Sequence, residues 1–188
     1  MTETPKYDVI RKAKQVELRQ YPAQIKAEVE VDGLTYQKAL YQGFSILAGY
    51  IFGDNADTEK IAMTRPVQVS NPKKIEMTKP VTVSGDGTFT VAFIMPAKFS
   101  LETLPKPKDP MINLTKIDSE VLAALRFSGY FSENKVRKAK QRLGGWVAQE
   151  GLEAEGDFIV ARYNPPWVPW FLARNEVMIP VKSESSQS

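Results

Sequence analysis

The chain has 188 residues, a length typical of one domain, and its 43% hydrophobic and 25% charged residues are usual for a globular protein. It contains no histidine and no cysteine, which excludes disulfides, Ser-His and Cys-His catalysis, imidazole or thiolate zinc sites and histidine-ligated haem iron. The net charge of +3 is too small to indicate nucleic-acid binding by itself.

The ends of the chain and its hydropathy give further expectations. No apolar run approaches the roughly 18 residues that span a bilayer, so we expect no membrane insertion. The first residues lack the basic-then-apolar order of a secretory signal, and we therefore expect a cytoplasmic location. We expect residues 1–6 to be flexible, residues 7–181 to form one domain and the serine-rich residues 182–188 to be disordered.

The first half of the domain reads as strands followed by a helix. Apolar and polar residues alternate over Val16–Arg19 and over Gln24–Val31, which predicts two strands. The turn signal Tyr21-Pro22 between them predicts that they pair with each other in antiparallel fashion. The period then changes, and a helix that stops at Gly53 is predicted to have one apolar face, formed by Leu40, Phe44, Leu47 and Ile51.

The next segments are predicted to be strands and a long loop. The strand candidates are Ile61–Val69, Ile75–Val83 and Thr88–Met95. The segment Pro96–Pro110 contains four prolines and is predicted to be an irregular loop, a feature that is often functional in a compact domain.

The second half repeats this plan. Ser119–Gly129 is predicted to be a strand, and Ser132 opens a helix. The apolar stripe of that helix consists of Val136, Ala139, Leu143 and Val147. Phe158–Tyr163 and Glu176–Val181 are strand candidates. Two units of strand, strand, helix, strand and strand predict a duplicated α+β domain.

The segment Asn164–Val177 is the most unusual part of the chain. Three prolines, two tryptophans and a phenylalanine precede Arg174 and Glu176. Prolines stiffen such a loop, so its aromatic rings can form a preordered wall of a binding site. The alternative is that the rings cap the core or anchor the following strand. Methionine also suits a pocket for a flat ligand, but core packing is the favoured interpretation of Met63.

The basic residues of the second helix, between Lys135 and Arg142, are interpreted as a solvated face. No aromatic RNA-reading motif and no phosphate-cradling glycine loop accompanies them. We therefore expect no nucleic-acid partner.

Taken together, these segments resemble the SOUL/haem-binding protein family from about Tyr7 to Val181. The resemblance rests on Ile61–Val67, on Phe93–Pro96 with Leu101–Pro107, and on Asn164–Val177. It implies a distorted antiparallel β-barrel built from two pseudo-repeated units, with two helices packed outside.

The resemblance also implies haem or a free porphyrin as a non-covalently bound ligand, held in a shallow hydrophobic groove between the first helix and the loop before the final strand. No histidine can ligate its iron here, and no protein metal ligand is expected. Lys38, Arg65 and Arg174 are candidates to meet the propionates. The candidate groove residues are Tyr41, Phe44, Leu47, Ala48, Met63, Arg65, Trp167, Val168, Trp170 and Arg174.

Three functions are consistent with this sequence. The first is a carrier, buffer or sequestering protein for a tetrapyrrole, without catalysis. The second is an effector module for bulky aromatic cations, which an inward-pointing acidic residue such as Glu28 or Glu176 would favour. The third is an enzyme that modifies tetrapyrroles, which would need a pocket residue with a perturbed pKa.

Overall fold

A computed structural model describes residues 4–70, 87–129, 132–163 and 174–182. Within them the chain forms nine strands and two helices in an α+β arrangement, as expected. The elements are β1 (Asp8–Ala13), β2 (Val16–Tyr21), β3 (Gln24–Leu34), α1 (Tyr36–Ile51), β4 (Val67–Ser70), β5 (Gly87–Ile94), β6 (Asn113–Ile117), β7 (Glu120–Ser128), α2 (Glu133–Gln149), β8 (Ile159–Arg162) and β9 (Arg174–Val181).

All nine described strands belong to one antiparallel sheet in the order β1-β2-β7-β9-β8-β4-β5-β3-β6. From β2 to β6 the order is symmetric about the β8–β4 pair, because β7, β9 and β8 of the second half correspond to β3, β5 and β4 of the first half. The duplication inferred from the sequence is therefore confirmed. The expected closure into a barrel differs, because the described part of the sheet is open, with β1 and β6 as its edges.

The two halves exchange their first strands. β2 pairs with β1 and β7, whereas β3 pairs with β5 and β6. The prediction that β2 and β3 form a hairpin across Tyr21-Pro22 is therefore wrong. The alternation of apolar and polar residues identified both strands correctly. It carries no information on their partners, because a strand can bury the same face of its side chains next to any neighbouring strand.

The strand predictions differ in their outcomes. The candidates at Thr88–Met95, Ser119–Gly129 and Glu176–Val181 correspond to β5, β7 and β9, and the candidate at Phe158–Tyr163 to β8. Ile61–Val69 is a strand only from Val67 onward, because the preceding residues run beside the end of α1. Ile75–Val83 lies outside the described residues. β1 and β6 were not predicted, and both are short edge strands with mostly exposed side chains.

Each helix covers the strands of its own half on one face of the sheet. α2 buries Val136, Ala139, Leu143 and Val147 against β7 and β9, as its sequence predicts. Its N-cap is Ser132, whose Oγ accepts a hydrogen bond from the Lys135 amide at 3.3 Å.

α1 packs on β3 and β5, but the predicted face is only partly the buried one. Its buried residues are Ala39, Gly43, Leu47, Tyr50 and Ile51. Gly43 lies directly against Val91, and the missing side chain is what allows this close approach. The helix ends before Gly53, whose φ of +113° favours glycine.

The opposite face of the sheet carries its own cluster of buried side chains. Tyr21, Leu122, Ala124, Ala161, Tyr163 and Met178 pack there, in the alternating positions of strands whose other side chains face α2. This face also holds the buried charged residues described below. No helix among the described residues is long and apolar enough to cross a membrane.

Candidate functional site

The outward face of α1 carries an exposed aromatic stripe. Tyr41 is 78% exposed, Phe44 37% and Phe52 63%. With the half-buried Ala48 they follow one another at intervals of three or four residues, so they lie on one side of the helix over a length of about 16 Å. We call these four residues the α1 stripe. Exposed apolar patches of this kind typically mark binding surfaces.

The α1 stripe is fixed rigidly on the core. The Phe44 ring packs edge-on against Phe93 of β5, with centroids 5.4 Å apart. Leu47, which was predicted to face the ligand, is completely buried in the core beneath the helix. Tyr41, Phe44 and Ala48 therefore form the surface, and Leu47 supports it from below.

Phe52 is a residue of this surface that the sequence reasoning missed. It is the C-cap of α1, just beyond the last residue of the predicted apolar face. The signal that could have found it is the spacing, since it follows Tyr41 by eleven residues and Ala48 by four.

The segment after α1 returns along the same edge of the helix. The amide of Ile61 donates to the Ile51 carbonyl at 2.8 Å, and Val67 pairs with Phe93, the ring partner of Phe44. Met63 lies between these two points and packs against the core under α1. Arg65 is half-buried and precedes a cis proline. Met63 and Arg65 therefore lie in the segment that connects the C-terminal end of α1 to β4.

The proline-rich loop is fastened to the C-terminal end of α1. The Tyr50 hydroxyl donates to the Pro105 carbonyl at 2.7 Å, and the Ala56 amide donates to the Lys106 carbonyl at 2.9 Å. Burial raises the pKa of Tyr50 to about 12, so its hydroxyl stays protonated and keeps this bond. The loop therefore braces the helix that presents the stripe.

Four predicted site residues come from the segment before β9 and from its first residue. Trp167, Val168 and Trp170 lie outside the described residues. Arg174 is at the start of β9, on the face of the sheet opposite to the helices, and its guanidinium donates to the Glu176 carboxylate at 2.8 Å. The charge of Arg174 is thereby paired within the fold. Lys38, by contrast, is exposed on α1, one turn before Tyr41.

Glu176 is the centre of a buried ionic network. It is completely buried, and Arg19 donates to both of its oxygens at 2.7 and 3.0 Å. The Tyr163 hydroxyl adds a hydrogen bond at 2.7 Å, and the Arg174 guanidinium lies over the Tyr163 ring at 4.1 Å. Burial alone would raise the pKa of Glu176, but the hydrogen bonds and positive charge of Arg19, with Arg174 and Tyr163, hold that pKa below its ordinary value. The carboxylate is ionised and fully partnered.

Few groups could ligate a metal. The chain offers neither imidazole nor thiolate, and within the described ranges no three acidic side chains come together as a metal site. On the α1 stripe itself, the hydroxyl of Tyr41 is a potential ligand atom.

Comparisons with known proteins agree with this architecture. A family model described as SOUL heme-binding protein matches residues 2–180. Human heme-binding protein 2 is 24% identical over 172 residues, which cover 91% of this chain and 80% of that protein.

Solved structures with the same fold are more distant in sequence. The EcmrR C-terminal domain has a TM-score of 0.69 at 13% identity, over 90% of this chain and 98% of that one. A hydrolase encoded by lin2189 from Listeria innocua has a TM-score of 0.60 at 13% identity, over 92% and 94%. SAV2435, bound to tetraphenylphosphonium, has a TM-score of 0.53 at 10% identity, over 92% and 96%. At these identities the likeness concerns the fold alone.

Proposed function

Because the chain belongs to the SOUL heme-binding protein family, we propose that it binds haem or another tetrapyrrole on the α1 stripe, without a histidine ligand. The observation that carries the proposal is the exposure of Tyr41, Phe44 and Phe52 on one side of a helix whose other side is firmly packed. A tetrapyrrole has two large apolar faces, and one of them would cover these rings. When bound, haem would supply a redox-active iron, while the protein supplies the apolar surface.

The area of the α1 stripe is sufficient for useful affinity. At about 200 Å² for a whole aromatic side chain, the three rings leave roughly 350 Å² exposed. Burying this area and an equal area of ligand at about 25 cal/mol per Å² gives roughly 17 kcal/mol. Association costs about 4–15 kcal/mol of this free energy. A micromolar dissociation constant corresponds to a binding free energy of about 8 kcal/mol, which lies within the range that remains.

Two basic residues are proposed to meet the carboxylates of such a ligand. Lys38 lies one turn before Tyr41 on an exposed face, and Arg65 lies in the segment that returns along α1. Trp167, Val168 and Trp170 remain part of the proposal as a second wall, on the grounds of the sequence resemblance. We propose a carrier or buffering role in the cytoplasm.

Glu176 is a poor candidate for a catalytic acid or base. A general acid or base needs a pKa near the working pH, and the pKa of Glu176 is shifted downward, away from that range. The alternative function, binding of aromatic cations, would need a free countercharge. Glu176 does point inward, but Arg19 and Arg174 already neutralise it.

The test is a titration of the protein with haem and, separately, with iron-free protoporphyrin, followed by absorbance and fluorescence quenching. Binding through the faces predicts similar dissociation constants for both ligands. Tight binding of haem alone would refute the mode without an iron ligand.

Matched variants test the location. Phe44→Ala and Tyr41→Ala should each weaken binding by about tenfold, as expected for the loss of one aromatic contact. Ile10→Ala is the control, because Ile10 is 53% exposed on the edge strand β1, in the other half of the sheet. Unchanged affinity in both α1 variants would place the ligand elsewhere.

A further inference from the structure

The outward side of α1 carries a row of side chains with the spacing of a helix-pairing interface. The row consists of Lys38, Tyr41, Ser45, Ala48 and Phe52, which follow one another at intervals of three and four residues. We call these five residues the α1 seam. Such spacing keeps side chains on one side of a helix, here over a length of about 21 Å, and it is the spacing along which helices pair. None of the five is buried in the part of the chain that the structure describes.

The α1 seam is complementary in shape to a second copy of itself in antiparallel orientation. With a two-fold axis at Ser45, Tyr41 of each copy lies opposite Gly49 of the other. No described neighbour lies within 4 Å of the position that a Cβ atom of Gly49 would take, so there is room for a ring on this side. Ser45 is small, and the two helices can therefore approach closely at the axis. A large side chain meets a small one on both sides of the axis, as knobs fill holes in paired helices.

The charges at the two ends of the α1 seam are complementary as well. Lys38 is the only charged residue of α1, and Asp54 follows the C-cap of the helix, Phe52, by two positions. In the antiparallel pair Lys38 lies opposite Phe52 of the other copy, so its ammonium group comes within reach of Asp54 there. The Asp54 side chain is 74% exposed, and its contact with Lys108 is long at 3.8 Å. The two-fold axis generates this ion pair twice.

Neither of these charges is placed where it stabilises α1 itself. The N-terminal end of a helix favours anions and the C-terminal end favours cations. Lys38 nevertheless lies in the first turn of α1, and Asp54 lies just beyond the last. In an antiparallel pair each charge lies beside the opposite end of the second helix, where the helix dipole favours it. The arrangement is therefore unfavourable in a single copy and favourable in the pair.

We infer that the protein without ligand forms a weak two-fold dimer through the α1 seam, and that this dimer competes with the tetrapyrrole for the same rings. The competition rests on the proposed function, whereas the dimer itself does not. Tyr41 and Phe52 are 78% and 63% exposed, which leaves roughly 280 Å² of ring area per copy and roughly 560 Å² in the pair. This is well below the roughly 1,200 Å² of a stable interface, so the dimer is a transient one that a ligand can displace.

Sedimentation velocity at protein concentrations from about 10 μM to 1 mM tests the dimer. We expect the sedimentation coefficient to rise with concentration from the value of the monomer towards that of the dimer. Saturation with iron-free protoporphyrin should return it to the monomer value. The apparent affinity for protoporphyrin should also fall as the protein concentration rises, because the dimer then withholds more of the binding surface.

Charge variants test the antiparallel arrangement. Ser45→Glu places two like charges at the axis and should weaken the dimer at least about tenfold. Lys38→Glu and Asp54→Lys should each weaken it, and the double variant should restore it, because the two ion pairs then form with exchanged signs. Lys138→Glu is the control, because Lys138 is exposed on α2, and it should leave the dimer unchanged.

Three outcomes would overturn the inference. They are a monomer at every concentration, a dimer that is unaffected by Ser45→Glu and by the charge exchange, and a dimer that persists when protoporphyrin is bound. A monomer that binds protoporphyrin would leave the proposed function intact. Failure of the protein to bind protoporphyrin would refute the proposed function and the competition, but the charge exchange would still decide whether the α1 seam forms the dimer.

Discussion

Replacing Glu176 by glutamine should strongly destabilise the fold. The two carboxylate oxygens accept from Arg19, and each accepts from one more donor, Arg174 or Tyr163. Glutamine offers only one acceptor oxygen. Its NH₂ group would take the place of the other oxygen and would face hydrogen-bond donors instead of accepting from them. It also leaves two guanidinium groups without their shared counterion. Breaking a buried pair in this way costs about 3–5 kcal/mol.

The lower end of this range is expected here. Arg19 keeps a second carboxylate partner, since its Nε donates to Glu17 at 2.9 Å. A loss of about 3 kcal/mol corresponds to a fall in Tm of roughly 6–12 °C for a domain of this size. Thermal and urea unfolding followed by circular dichroism would measure both quantities.

The control is the same substitution in an exposed ion pair. Glu153 lies 2.6 Å from Lys182, but its side chain is 67% exposed. Glu153→Gln should cost about 0–1 kcal/mol, as surface pairs do. Equal small losses in both variants would refute the view that Glu176 is held in a dry, fully paired network.

The same network predicts a pH dependence. The pKa of Glu176 is lowered in the folded protein, so ionised Glu176 adds stability above the ordinary carboxyl pKa of 4.5. That stability is lost as the pH falls through the pKa that Glu176 has in the folded protein, because protonation then neutralises the carboxylate that the network stabilises. The difference in stability between wild type and Glu176→Gln should therefore be full at pH 7 and shrink below pH 4.5. A difference that grows on acidification would contradict the sign of the shift.

Two further predictions concern the helices. Gly43→Ala should destabilise the protein by about 1–3 kcal/mol, because the added methyl group would lie 2.5 Å from a methyl of Val91. Gly49→Ala should stabilise the protein by about 0.5–1 kcal/mol, because its methyl group would meet no neighbouring element within 4 Å. Urea unfolding of both variants checks the contrast. Ser132→Ala should cost about 1 kcal/mol through loss of the α2 N-cap, measured in the same way, and Ser132→Asp should restore it.

Much of the fold could be predicted from the sequence because its signals are local. The alternation in β3 follows directly from its one buried face. The stripe of α2 is complete because all four of its apolar residues are buried. The duplication followed from the order of these elements. Strand partners are a different matter, since β2 joins β7, about one hundred residues away.

The candidate site was predictable only in part. Tyr41, Phe44 and Ala48 became candidates by resemblance, whereas apolarity alone placed Phe44 on the buried face of α1. The real buried face uses Gly43 and Tyr50, which hydropathy does not mark as core. The pairing of Arg19 with Glu176 spans 157 positions and leaves no local trace.

The outward faces of the two helices differ in this duplicated fold. They occupy equivalent positions on equivalent strands, yet α1 contains one charged residue and α2 contains six. The inner faces of both are apolar because each covers half of the sheet, so stability accounts for those residues in the same way. Stability does not account for Tyr41, which is 78% exposed and would lose little burial if it were polar. An exposed aromatic row also carries a risk of aggregation, which α2 avoids with its charges. The exposed rings of the α1 stripe are therefore the feature on which the proposed ligand site rests.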